Sequence, residues 1–210
     1  LSKATRSHLG KLDASYAPGG CGVTNSYPVF GQADRASFPL AIRSGDAVKP
    51  LGEDLNATIT LPGVTVQTSQ INTQQDAKLV TWTGPAALEA RGARPIAPLA
   101  QALAGGALRF DTIVSAPPAG KVTIAMQCAA ACGKPLDATA LFARLAGKGK
   151  QGVKIPLACF ASKGVDLARV DTPFSVASDA AFAASFANIE ILGGAAAEVL
   201  ARFFGRYNAV

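Results

Sequence analysis

Large apolar residues alternate with small or polar ones through Phe186-Ala187-Asn188-Ile189-Glu190-Ile191, the end of a longer apolar stretch from Ala181 to Ile191. A period of two is the mark of a strand with one buried face. The same period recurs in Val64–Ile71, Lys78–Thr83, Ala87–Ala90, Leu108–Val114 and Lys121–Met126. Ser37–Arg43 reads as an early strand, with Pro39 pointing to an edge position. Val153–Phe160 reads as one strand, followed by a polar connection and a second strand that opens on Pro173. Gly84-Pro85 and Pro117-Pro118-Ala119-Gly120 punctuate neighbouring strands as turns. Eight or so short strands with such punctuation predict an all-β protein, an antiparallel β-sandwich or jelly roll.

One or two short helices interrupt this pattern. Between Leu136 and Leu145, Leu141, Phe142 and Leu145 share a helical face, and Asp137 or Thr139 supplies a cap. Residues 195–210 carry Val199, Leu200, Phe203, Phe204 and Tyr207, which predicts a short amphipathic helix with Phe203 or Phe204 docked on the body. Residues 1–24 are polar and end in the glycine cluster Gly19-Gly20-Cys21-Gly22, which reads as a linker. The organisation expected is therefore an arm over 1–24, a sandwich over 25–193 and a tail over 194–210.

Several of these stretches together resemble a known family. Ala116-Pro117-Pro118-Ala119-Gly120-Lys121-Val122-Thr123-Ile124-Ala125-Met126, then Leu136-Asp137-Ala138-Thr139-Ala140-Leu141-Phe142, then the segments 153–160, 164–167, 171–177 and 181–191 are similar to one particular domain. It is the galactose-binding-like C-terminal domain of bacterial glycoside hydrolase family 3 enzymes, the exo-acting β-glucan glucohydrolases of the ExoP type. The resemblance covers roughly residues 25–193. It implies a galactose-binding-like sandwich, non-catalytic by itself, packing on the catalytic domains of a β-glucosidase and leaving contact with β-glucan oligosaccharide open. It also implies a periplasmic or extracellular location. On this reading the chain is a fragment of a longer protein, and Leu1–Leu12 is similar to the arm that leaves the catalytic part.

Composition narrows the alternatives. Only 16% of the 210 residues are charged, against 49% hydrophobic, which argues against extensive disorder. The net charge is +6, but the densest basic cluster, Lys148, Lys150 and Lys154, has no interleaved aromatics, so nucleic acid is not an expected partner. No apolar run approaches the ~20 residues of a membrane span.

Candidate chemistry is sparse. Gly147-Lys148-Gly149-Lys150-Gln151-Gly152 spells the dinucleotide fingerprint, but a helix precedes it and a strand follows, the reverse of what the mechanism needs. His8 is the single histidine, and no Gly-x-Ser-x-Gly elbow occurs. No metal site or cofactor is implied. Asp166 and Asp171 read as turn and cap residues rather than as a glycosidase pair. The family's barrel uses Ser-Asp-Trp, whereas Ser178-Asp179 is followed by Ala180.

Cys128 and Cys132, four apart at a strand end, read as a local disulfide, free thiols being the alternative. Cys159 reads as a small buried hydrophobe, and Cys21 has no evident partner. Asn56-Ala57-Thr58 spells a glycosylation sequon. Trp82 and Tyr27 are the candidate rings for stacking on sugar, although a lone strand Trp also reads as core. The rival functions are an independent carbohydrate-binding module with its own sugar affinity, and a small hydrolase acting alone.

Overall fold

A computed structural model describes residues 26–31, 38–52, 54, 56–72, 76–96, 105–129 and 132–193. The predicted arm, the tail with Phe203 and Phe204, His8 and Cys21 lie outside the described residues. Two antiparallel sheets face each other across one core. The first is built from β1 (Ser26–Phe30), β4 (Ile59–Leu61), β5 (Val64–Ser69), β6 (Ala77–Trp82), β8 (Ala107–Ala116), β11 (Lys150–Pro156) and β13 (Phe182–Leu192). Its order is β11-β8-β13-β6-β5-β4, and β1 pairs with the end of β13. The second contains β2 (Leu40–Ser44), β3 (Ala47–Pro50), β7 (Ala86–Ala90), β9 (Val122–Cys128), β10 (Leu136–Asp137) and β12 (Val170–Ser178), in the order β10-β9-β12-β7-β2-β3.

The expected antiparallel sandwich is thus the observed architecture. The turn at Gly84-Pro85 carries the chain from β6 in one sheet to β7 in the other, and Pro117–Gly120 does the same between β8 and β9. Pro39 does not mark an edge: β2 is covered on both sides, by β7 and by β3. Pro173 does not open its strand. It sits inside β12, where the pairing with β9 shifts register between Thr172 and Ser175, so the missing N–H costs no ladder bond.

The stretch read as a strand from Val153 to Phe160 is strand only as far as Pro156. Helix α2 (Leu157–Ala161) then begins. Pro156 has φ −54°, already suited to a helix start, and Leu157 and Phe160, three residues apart, both turn into the core. Helix α1 (Thr139–Leu145) buries Phe142 completely, while Leu141 and Leu145 are half-buried against the core. Thr139 pins its start to β9, with its hydroxyl accepting from the Val122 N–H at 2.9 Å.

The core is aromatic. Phe186 of β13 meets Trp82, Phe110 and Phe142, and across the sandwich it meets Phe174 of β12, with centroids 5.7 Å apart. Aromatic pairs at this spacing favour edge-to-face geometry, and Phe174–Phe186 crosses at 67°.

Candidate functional site

The register of the six-stranded sheet lines up four residues on consecutive strands. Arg43 of β2 lies opposite Ala87 of β7, Ala87 opposite Ala177 of β12, and Ala177 opposite Thr123 of β9. Residues paired this way share a face. Their neighbours Ile42, Leu88, Val176 and Ile124 are fully buried in the core, so the row faces outward.

Because Ala87, Ala177 and Thr123 have small side chains, the row forms the floor of a shallow trough of about 300 Å³ running across the strands. Gly45 and Pro85 line it at the β2 and β7 side, and Lys121 and Asp179 at the β9 and β12 side. Four adjacent strands span about 14 Å, long enough for a short oligosaccharide.

One end of the row carries an ion pair. Arg43 donates through Nε and Nη2 to the two carboxylate oxygens of Glu89, each at 3.0 Å. The Glu89 side chain is only 3% exposed although its strand position faces outward; that of Arg43 is 30% exposed. A carboxylate so enclosed needs a partner, and the planar guanidinium fork fits it with two parallel bonds. The bond that Arg43 donates to Glu89 raises the Arg43 pKa, with burial acting in the opposite direction.

Further along the same face lie more planar polar groups. Gln127 donates to the Ser175 hydroxyl at 3.2 Å, and Arg91 donates to the Thr172 hydroxyl at 3.0 Å. At the far rim, the Asp179 carboxylate accepts from the Lys121 backbone N–H at 2.7 Å, which fixes that end of the trough.

A second polar cluster sits on the seven-stranded sheet. The Asp111 carboxylate is 3% exposed. It accepts from Asn188 at 2.9 Å, Asn72 at 3.3 Å and Arg109 at 3.4 Å, with the Lys150 ammonium at 3.6 Å. Asn188 has φ 48°, at the register shift between β13 and β8. The cluster braces that bulge, with donors around the carboxylate.

Comparison with known proteins bears on this architecture. The Exop_C profile, a galactose-binding domain-like family, matches residues 38–191. The chain belongs to this family. Among solved structures, this Exop_C chain is similar to the exo-1,3/1,4-β-glucanase ExoP of a Pseudoalteromonas species, at 17% identity and a TM-score of 0.65. That match covers 82% of this chain and 21% of the glucanase, so the chain spans about a fifth of that enzyme. The extra C-terminal domain of the same glucanase, solved alone, matches at 19% identity and a TM-score of 0.61, covering 78% of this chain and 90% of that one. The family 30 carbohydrate-binding module of the Clostridium thermocellum cellulase Cel9D-Cel44B matches at 16% identity and a TM-score of 0.53, with 79% and 96% covered. At these identities the likeness is one of fold. No curated protein sequence matches.

The residues singled out from the sequence fall in different places in this Exop_C domain. Trp82 is 1% exposed, stacks on Phe182 with centroids 5.0 Å apart, and donates its indole N–H to the Ala86 carbonyl at 3.0 Å. Both its faces and its one donor are committed to the core, so it offers no platform to a sugar. Tyr27 is half-buried on β1, edge-on to Phe38 at 5.7 Å, in the seven-stranded sheet and away from the trough floor.

Cys128 and Cys132 are joined by a disulfide with Cα atoms 5.6 Å apart. Cys159 lies in α2 rather than in a strand and is only half-buried; desolvation pushes its thiol pKa up. Asp166 caps the turn Leu167–Arg169 by accepting from the Ala168 N–H, whereas Asp171 lies within β12 and accepts from the Thr172 hydroxyl at 2.8 Å.

Sequence reasoning missed Arg43 and Glu89. They are 46 residues apart, and the only local signal is one glutamate in the otherwise apolar strand Ala86-Ala87-Leu88-Glu89-Ala90. An acid in such a strand demands a partner, but nothing local names it.

Proposed function

We propose that this chain is a non-catalytic accessory domain of a family 3 exo-β-glucanase, and that it meets β-glucan across the trough on the outer face of the six-stranded sheet. The observation that carries this reading is family membership over 38–191, together with a relative in which the matching part is one piece of a larger exo-1,3/1,4-β-glucanase. The chain would pack on the catalytic domains of its parent, which would work outside the cytoplasm. The Cys128–Cys132 disulfide supports that location, since such bonds persist in oxidising compartments.

The contacts of the carboxylates support the non-catalytic part. Glu89 is clamped by Arg43, Asp111 is ringed by four donors, and Asp166 and Asp171 bond locally. A retaining or inverting glycosidase needs two carboxyl groups facing a shared space. A second reading, an independent carbohydrate-binding module, is favoured by the trough itself and by the likeness in fold to the family 30 module.

Two measurements on the purified chain test this reading. It should be retarded by mixed-linkage β-1,3/1,4-glucan in affinity electrophoresis, and it should not hydrolyse aryl β-glucosides. Turnover that disappears on replacing one of its own Asp or Glu residues would overturn the accessory role.

A further inference from the structure

Arg43 sits at one end of the trough floor with its guanidinium locked by Glu89. A guanidinium carries five N–H donors. Glu89 takes two, and the other three have no partner among the described residues. With the side chain 30% exposed, this is a fixed donor fork open to the trough. Beside it, Ala87 and Ala177 leave room for a flat ring to reach the sheet.

The cations around this fork are offset although the whole chain carries +6: Glu89 and Asp46 both act on Arg43. Arg43 is matched by Glu89, and Lys121 shares its rim with Asp179. An anion on the spare donors would meet a guanidinium whose charge Glu89 already neutralises, with that 3% exposed carboxylate close behind it. A hydroxyl-rich neutral ligand uses the spare donors and leaves the pair intact.

We infer that Arg43 is the hydrogen-bonding and stacking head of a subsite for an uncharged oligosaccharide, and that Glu89 is the positioning residue that keeps its guanidinium flat and its charge neutralised. The guanidinium plane serves where an aromatic ring would otherwise lie. This rests on the glucan-contacting reading above and specifies which end of the trough grips the sugar and what charge the sugar carries.

The test uses the full chain and two probes, a neutral β-1,3/1,4-gluco-oligosaccharide and a carboxymethylated β-glucan. Calorimetry over a range of salt should show neutral-sugar binding that salt leaves unchanged. Arg43→Ala and Arg43→Lys should both weaken it by about 10–100-fold, the value of hydrogen bonds from a charged donor. Lysine keeps the charge and loses the fork, so equal losses separate geometry from charge.

Ala177→Phe, which fills the trough and keeps the Arg43–Glu89 pair, should abolish binding with melting unchanged. It carries the test if Arg43→Ala does not fold. Neutral-sugar binding that survives both Arg43→Lys and Ala177→Phe overturns this subsite and moves the glucan contact off the trough, while leaving glucan binding by the domain in place. Tighter binding of the carboxymethylated glucan that fades with salt overturns the uncharged ligand. No binding of either glucan by the unaltered chain overturns the subsite and the glucan-contacting reading together.

Discussion

Asp137 holds the start of α1 by accepting from the Thr139 N–H at 2.9 Å. That backbone bond lowers its pKa, helped by the Thr139 hydroxyl and by Lys121 and opposed by burial. A carboxyl depressed in the folded state stabilises above its unfolded value of about 3.9, and the contribution fades as pH falls through the folded value. Urea midpoints of the unaltered chain and Asp137→Asn should therefore differ by a constant amount near neutrality and converge below about pH 4. Convergence at a higher pH would assign the effect to another group. Thr112 presents the opposite case: it is fully buried in β8, and its hydroxyl has no hydrogen-bond partner among the described residues. An unsatisfied buried hydroxyl costs about 1–3 kcal/mol, so the near-isosteric Thr112→Val should raise the melting temperature. A lower one would mean the hydroxyl has a partner. At this scale the sequence was readable wherever the partner is local. Asp137 or Thr139 was expected to cap the helix; Ala138 holds the N-cap position with no side-chain bond, and Asp137 reaches the Thr139 N–H from one residue further back. The core position of Trp82 was legible from its strand, but its stacking partner was not, because Phe182 lies a hundred residues away along the chain.

Loops and turns carry the next level of specificity. The disulfide closes a five-residue loop, and just beyond it Gly133, at φ 70°, lies against Val165, where a Cβ would stand 2.6 Å from the Val165 N. Lys134 donates its backbone N–H to the Lys163 carbonyl at 2.9 Å, so this loop is docked on the segment after α2. Closing so short a loop restricts the unfolded chain by about 2 kcal/mol at room temperature. Cys128→Ser/Cys132→Ser should lose about that much in equilibrium denaturation, with the far-ultraviolet spectrum kept. A loss of spectrum as well would show that the bridge organises more than its own loop. Elements with a strict period of two, such as Val122–Cys128, were legible. The break at Pro156 was less so, since Val153, Ile155 and Leu157 continue the strand alternation and only the step of three to Phe160 announces a helix. Two-residue hairpins at Gly45-Asp46 and Pro62-Gly63 attach β3 and β4, strands too short to register as patterns, to β2 and β5.

Across the whole molecule, one residue joins the two sheets more than any local feature does. Phe186 is fully buried and in ring contact with Trp82, Phe110, Phe142 and Phe174, from three strands and a helix. Phe186→Ala should destabilise the chain by about 3–5 kcal/mol in chemical denaturation, as a single cooperative shift. A shift confined to one probe would mean that the sheets unfold separately. What the sequence determined by itself was the identity of most strands, the face each one buries, the residues that turn the chain, and the cysteine spacing that suits a local bridge. All of these follow from steric and hydrophobic preferences acting over a few residues. Tertiary structure alone decided which sheet each strand entered. β6 and β7 are separated by three residues yet pair with different partners, because the apolar faces of both must meet in one core. It also decided the trough. Ala87, Ala177 and Thr123 are ordinary in sequence, and Arg43 meets Glu89 only because β2 and β7 pair in a register that sets Ile42 against Leu88 in the core. The buried side of each strand follows from its pattern, whereas the side that faces a ligand is assembled by long-range pairing that no local pattern encodes.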